Sequence, residues 1–565
     1  MNKQILHDKK SFINMRALVE WAGDEWADRP AWSWKKTPIA AEVKKITFNT
    51  LRDDIRHLSS KLISMGVPGN HCAVIGKLSY DWVLLYFSIL SVGGVIVPLD
   101  KDWKAEDLAD TVKKSDSIFL FCDEDISEKA EVIQAEVTLK ESVVYMCAKE
   151  NERCVRLLMA HGSMLFDKSP ELYFDAPIDA YALAILVFTS GTTGKGKGVM
   201  LSHDAVLSDM SDVLAYIDYG SKTLGLLPPH HTFGSSVLLA GHMMIGSEVY
   251  ISSGLRYITK ELHAEKPEHL ILVPLHLETF YRKITAAIEE KGKGRLVSNM
   301  MKMNRGLKKI GINAGDKLFG MVTAAFGGRI KTVISGGAPL NPEIVNFFES
   351  VGISTLNGYG ITECAPIVSV NRSRANVHGS VGYVLDIDNV KIDNPDENGE
   401  GEILVKGPNV MLGYYKDEEA TKEAFDEDGF FRTGDYGRLG EDNVLYITGR
   451  KKNLIILSNG KNVYPEEIEN ALAATPGILD IVVYEGKSRR GMEYNAIVAE
   501  IYPDKEYFDK NGIEDMRAYF KEYVAEYNKN AVKYKTVSQI KIRLEEFPKN
   551  TLRKIMRFKL DTSID

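Results

Sequence analysis

Short apolar runs alternate with segments of helical period along the first half of the chain. Residues 72–76 (CAVIG), 95–99 (VIVPL), 117–121 (SIFLF), 143–146 (VVYM), 184–188 (AILVF), 223–228 (TLGLLP), 247–251 (SEVYI) and 269–273 (HLILV) read as strands. Residues 81–91 (DWVLLYFSILS) and 203–217 (HDAVLSDMSDVLAYI) carry helical spacing. The alternation predicts an α/β fold of mostly parallel sheets covered by helices, with ligands held where loops leave strand ends. From about 387 to 448 the texture changes to short strands and acidic, Gly-rich turns, which predicts a β-rich subdomain. Beyond Arg450-Lys451-Lys452 the alternation resumes on a smaller scale. It predicts a helix opening at Pro465, strands at 478–486 and 495–503, a helix, and a final strand from 539. We therefore expect a large multi-subdomain α/β region over 1–449, a hinge at 450–452, and a small, mobile α+β domain over 453–565.

Composition narrows the class. The 565 residues are 44% hydrophobic and 26% charged, with 46 Gly and 19 Pro, which is ordinary globular usage and far from collagen, coiled coil or wholesale disorder. A net charge of −8 argues against nucleic acid as the main partner. Five cysteines without C-x-x-C spacing indicate neither a disulfide framework nor a zinc site, and a reducing cytoplasm fits them. The first fifteen residues lack the apolar core of a secretory signal. The longest uncharged stretch, 83–99, holds Gly93-Gly94 and Pro98, so it reads as a buried helix and strand with no membrane span. One segment departs from the overall acidity: between Tyr281 and Lys331 twelve Lys and Arg face only Glu289, Glu290 and Asp316. There Leu296, Met300, Met303, Leu307 and Ile310 predict an apolar helix stripe over core with a basic opposite face. That basic face offers a peripheral contact with an anionic membrane through 281–331, or with a phosphate-bearing substrate.

The strongest chemical signal is AILVFTSGTTGKGKGVMLSH at 184–203. A strand delivers the chain into Thr189-Ser190-Gly191-Thr192-Thr193-Gly194-Lys195-Gly196-Lys197-Gly198, where glycines let backbone N–H groups approach a phosphate, hydroxyls donate and lysines offset charge. Gly191 to Lys197 fits the spacing of a Walker loop, but Gly198 stands where that loop needs Ser or Thr, and GVMLSH reads as strand where a helix should start. A P-loop NTPase or kinase is thereby disfavoured.

This loop resembles the signature of the adenylate-forming superfamily of acyl-CoA synthetases, peptide-synthetase adenylation domains and luciferases, with Gly196 in place of the usual Pro. The resemblance continues in order through VGGVIVPLD (92–100), LPPHHTFG (227–234), SGGAPLNPEI (335–344), NGYGITECAP (357–366), FRTGDYGRL (431–439), GRKKNLIILSNGKNVYPEEIE (449–469) and FPKNTLRKIMR (547–557). Within the superfamily the overall pattern and the basic insertion before SGGAPL look most like long-chain fatty acyl-CoA synthetases.

The resemblance implies roles for matching positions. Thr189, Ser190, Gly191, Thr192, Thr193, Gly194 and Lys197 would cradle ATP phosphates. Gly337, Ala338 and Pro339, with Asn357, Gly358, Tyr359 and Gly360, would line the adenine, Tyr359 offering a face for stacking. Thr362 would touch the α-phosphate, and Glu363, with Thr189 from the family pattern, would hold Mg²⁺. Asp435 would accept the ribose hydroxyls with Arg450 nearby, and Lys452 would be the hinge. His231 would face the acyl channel. A lone His is more often a satisfied core residue, and His230-His231 has no third ligand at metal spacing. Lys554 would be the main catalytic lysine, joined by Lys197 and Thr362, although Arg553 takes the position of the family's Gly.

The implied activity is ATP-dependent conversion of a carboxylic acid, foremost a long-chain fatty acid, to an acyl-adenylate and then to acyl-CoA with release of AMP. The alternatives are an acyl carrier protein as acceptor, a medium-chain or aryl acid as substrate, and, more remotely, an inactive ATP-binding regulatory protein.

Overall fold

The computed structural model describes residues 5–147, 153–189, 196–308, 319–338, 340–457, 461–473, 475–487, 496–549 and 555–564. A seven-stranded sheet forms the first layer, in spatial order 413–414, 197–201, 185–189, 95–99, 71–75, 117–123 and 144–146. Its strands run parallel except 197–201, which is antiparallel to both of its neighbours, 413–414 and 185–189. A four-stranded sheet (44–47, 30–34, 248–251, 222–225) and a five-stranded sheet (269–272, 332–335, 354–360, 367–370, 383–384) follow. The acidic, Gly-rich region closes an antiparallel sheet of 389–393, 401–406, 431–439 and 445–450. Toward the C-terminus a three-stranded sheet joins 478–486, 496–503 and 539–542.

Local sequence explains the elements. The uncharged stretch divides as its breakers dictate. The helix Tyr80–Leu90 starts where the Ser79 side chain accepts from the Trp82 N–H, and the strand Val95–Leu99 follows Gly93 at φ +72°. That helix is apolar all round, and it is buried all round, with Trp82, Tyr86 and Phe87 inside the main core. Ser202 caps His203–Leu214 through the Ala205 N–H, and proline opens the helices at Pro274, Pro342 and Pro465.

The basic segment corrects one expectation. Its helix Gly294–Lys308 buries only part of the expected stripe: Met300 packs against core together with Met301 and the buried Val297 and Asn304, whereas Leu296 is 57% and Met303 50% exposed. The phase is fixed by contacts the apolar spacing does not encode, chiefly the Asn304 amide donating to the Ser350 carbonyl at 2.9 Å. Leu307 carries no described side chain and Ile310 lies outside the described residues. Among the described residues no helix is long and apolar enough to cross a membrane.

Candidate functional site

The glycine-rich loop leaves the sheet at Thr189 and re-enters at Lys197, which are paired in register. Gly196 packs so closely on Thr189 that a Cβ would lie 2.5 Å from the Thr189 carbonyl oxygen, and the Lys114 ammonium donates to the Gly196 carbonyl at 2.9 Å. Close packing at Gly196 gives a physical reason for glycine where the family usually carries proline. Residues 197–201 form a strand, which the Walker architecture cannot accommodate. Ser190, Gly191, Thr192, Thr193 and Gly194 lie outside the described residues, as do Pro339 and Lys554.

Lys197 extends its ammonium over the Tyr414 ring, 4.5 Å from the centroid, and the Tyr414 hydroxyl donates to Glu363 Oε1 at 3.1 Å. The strand Gly413–Tyr414 brings this tyrosine to the sheet edge beside 197–201, and the Met411 N–H donates to the Glu363 carbonyl at 2.8 Å. Thr362 and Glu363 sit on a short 3₁₀ turn closed at its base by the Ile361 N–H donating to the Pro366 carbonyl. Gly360 is obligatory at this closure, since a Cβ there would fall 2.0 Å from the Pro366 carbonyl oxygen. Burial pushes the Glu363 carboxyl up, countered by the Tyr414 hydroxyl and the charge of Arg450.

A second cluster faces it from the antiparallel sheet. Asp435 and Arg450 are cross-strand partners joined at 2.6 Å, and the Tyr359 hydroxyl donates to the other oxygen of Asp435 at 2.7 Å. Asp435 is buried, so its two charge-assisted contacts carry the cost of desolvation. Asn357 ends the run of register pairs with Ser335, and its Oδ1 is buried without a hydrogen-bond partner among the described residues. Gly337, just beyond that strand end, has φ +86° with open space where a Cβ would be, and Ala338 beside it is exposed. Gly358 lies against the Ser369 carbonyl. The structure thus brings Thr189, Lys197, Gly337, Ala338, Asn357, Gly358, Tyr359, Gly360, Thr362, Glu363, Asp435 and Arg450 to the ends of three sheets. Lys452 lies two residues after Arg450, its ammonium pushed down first by burial and then by the charge of Arg450.

His231 opens the bend before a wide, π-type helix, Phe233–Gly241. Its ring packs on His230 at 4.3 Å, and its carbonyl accepts from the Ser235 N–H. His230 Nε2 lies 3.6 Å from Asp100 Oδ2, a buried pair that sequence reasoning missed because the partners are 130 positions apart. Tyr414 was missed as well, although GYYKD directly follows the GPNVML turn. The far end of the π-type helix is held by buried histidines. His242 Nδ1 sits 3.0 Å from the Val237 carbonyl, His242 Nε2 is 3.0 Å from His269 Nε2, and His269 Nδ1 accepts from the Gly220 N–H. Those neighbours dictate one proton order, with His269 donating to His242 and His242 to Val237.

Burial also holds His203 neutral, its ring pushed down to about 4. In the unfolded chain it takes up a proton near 6.5, so its contribution to stability is complete above that pH and is lost as pH falls toward 4. We expect the stability advantage of wild type over His203→Gln to shrink by about 2 kcal/mol between pH 6.5 and 5 in denaturant melts. The comparison is between variants because Asp388 and Glu469, raised to about 8 and about 7 chiefly by burial, shift stability in the opposite direction over the same range. A constant difference across that range would refute the assignment.

The family model described as AMP-binding enzyme matches residues 19–415. The chain is 30% identical over 459 residues to a long-chain-fatty-acid–CoA ligase of Mycobacterium bovis, covering 78% of this chain and 75% of that one. It is 27% identical over 536 residues to a long-chain-fatty-acid–[acyl-carrier-protein] ligase of Arabidopsis thaliana, covering 82% and 73% respectively. Its fold matches that of ATP-bound MatB from Rhodopseudomonas palustris with a TM-score of 0.74 at 24% identity, over 96% of this chain and 97% of that one.

Proposed function

The chain belongs to the AMP-binding enzyme family, and we propose that it joins a carboxylic acid, foremost a long-chain fatty acid, to the thiol of CoA at the expense of ATP. One observation carries the reading. Glu363, tied to Lys197 through Tyr414, lies within electrostatic reach of the Asp435–Arg450 pair, so a group suited to gripping anions and a group suited to gripping hydroxyls are neighbours.

A carboxylate is a poor acyl donor because oxide would have to leave. Its attack on the α-phosphorus of ATP breaks the bond to pyrophosphate and forms an acyl-adenylate. A thiol then attacks the carbonyl, and AMP departs with the electron pair. In this reading the loop from Thr189 to Lys197 and the lysine Lys554 offset charge that spreads over the phosphorus, and Thr362 contacts the α-phosphate. Asp435 accepts the ribose hydroxyls, and the open space beside Gly337 and Ala338 admits the adenine next to Tyr359. The buried Glu363 carboxyl, which accepts from the Tyr414 hydroxyl, suits a hard divalent cation, with Thr189 as a further oxygen. Mg²⁺ held there would supply charge neutralisation on the phosphates. We place the swing of the C-terminal part at 450–452, with Lys452 as its pivot, and His231 on the acyl side.

The substrate class rests on relatives named for long-chain fatty acids, and the carrier-protein ligase among them keeps that acceptor as the second reading. A carboxylate panel in ATP–pyrophosphate exchange tests the first, and CoA against acyl carrier protein tests the second. Strongest exchange with long alkyl acids is expected. Preference for aryl acids would move the chain to another branch of the family, and no exchange with any acid would favour a regulatory nucleotide-binding protein.

A further inference from the structure

Behind the turn that carries Thr362 and Glu363, the main chain at Ile367 is gripped from two directions. Its N–H donates to Asp209 Oδ2 at 3.1 Å, from the helix His203–Leu214, and its carbonyl accepts from Asn409 Nδ2 at 2.9 Å, from the loop after the strand Gly401–Lys406. The same Asn409 amide donates to Asp388 Oδ2 at 3.1 Å. Both N–H bonds of that amide are thereby committed.

Asp209 and Asn409 are fully buried. Asp209 Oδ1, Asp388 Oδ1 and Asn409 Oδ1 have no hydrogen-bond partner among the described residues. Gly407 makes room for the group: a Cβ there would lie 2.0 Å from Asp388 Oδ1 and 2.9 Å from Asn409 Oδ1. A cluster so incompletely satisfied is a poor way to stabilise a fold, because apolar side chains of similar volume would serve better. What it does supply is a fixed backbone at Ile367, held on the peptide units to either side of it, immediately after the closure between Ile361 and Pro366.

We propose that Asp209 and Asn409 are positioning residues for Mg²⁺·ATP: by clamping both backbone groups of Ile367 they fix the turn on which Thr362 and Glu363 are presented. The effect is indirect, since neither side chain reaches the phosphates. It rests on the reading of Glu363 as the metal-holding carboxylate, and the test separates the two. Two further contacts brace the turn from its other side, the Met411 N–H on the Glu363 carbonyl and the Tyr414 hydroxyl on its side chain. Asn409 lies two residues before Met411, so one loop braces both ends of the turn.

The test is calorimetric titration of the full-length protein with ATP at fixed Mg²⁺ and with Mg²⁺ at fixed ATP, beside thermal melts, for wild type, Asp209→Val, Asp209→Asn and Asn409→Ala. Asp209→Val and Asn409→Ala are each expected to weaken Mg²⁺·ATP binding about tenfold, while Asp209→Asn, which keeps an oxygen facing the Ile367 N–H, stays within about twofold of wild type. The double variant Asp209→Val/Asn409→Ala should lose no more than the worse single change, because both hold the backbone of one residue, Ile367. Unchanged Mg²⁺·ATP affinity in a folded Asp209→Val protein overturns the clamp, as does Asp209→Asn binding as weakly as Asp209→Val. If Asp209→Val does not fold, Asn409→Ala against wild type decides in the same terms. Wild type that binds Mg²⁺·ATP but shows no pyrophosphate exchange with any carboxylate would overturn the proposed reaction, while the binding titrations would still judge the clamp.

Discussion

Replacing Lys554 with alanine is expected to lower ATP–pyrophosphate exchange by about 10²–10³-fold while largely sparing thiol transfer from preformed acyl-adenylate. The expectation follows from charge: the first step accumulates negative charge on phosphorus, and the second discharges a neutral acyl carbon to sulfur. Lys554 itself is outside the described residues, but the described residues on either side of it are anchored. The Met556 N–H donates to the Pro548 carbonyl at 2.8 Å, Lys549 pairs with Ile555, and the Lys549 ammonium meets Asp480 at 2.7 Å. Charges at these flanks act beyond them: the Glu278 carboxyl, raised by burial, senses Asp480 and Lys549, and Lys452 senses Arg557. Rapid-quench measurement of each half-reaction decides. Equal loss in both steps would remove the division of labour between them.

The second large effect is expected at Asp435. Asp435→Ala strips the Tyr359 hydroxyl and the Arg450 guanidinium of their common acceptor and, in the proposed function, removes the group that receives the ribose hydroxyls. Each charge-assisted hydrogen bond lost is worth about 1.5–3 kcal/mol, so KM for ATP should rise by about 10²-fold or more, with KM for the carboxylic acid little changed. Steady-state kinetics with each substrate varied in turn provides the check. A parallel rise in both constants would assign Asp435 to general folding instead.

Much of the fold was legible because its core strands are apolar runs between breakers. The strand at 95–99 follows Gly93-Gly94 and the helix at 465 starts on proline, so local chemistry alone marks both. The phase of Gly294–Lys308 was not legible, since two faces of that helix carry apolar residues and a buried asparagine selects between them. In the candidate site, motif order identified residues that the strand ends gather. The supports between motifs were hidden for a different reason. Asp209 grips Ile367 across 158 positions, His230 reaches Asp100 across 130, and Tyr414 meets Glu363 across 51. None of these pairs has a local pattern, because the partners are brought together by the tertiary fold alone and several of them, Asp100, His230 and Glu363 among them, lie in turns that carry no periodicity.

The two-residue strand Gly413–Tyr414 has a practical consequence for dissecting the protein. It covers the outer edge of 197–201, where unpaired N–H and carbonyl groups would otherwise stand in a row. A truncated large fragment ending before Gly413 would bare that border and invite strand-to-strand stacking between copies, whereas one carried past Lys416 keeps it capped and should stay dispersed during expression.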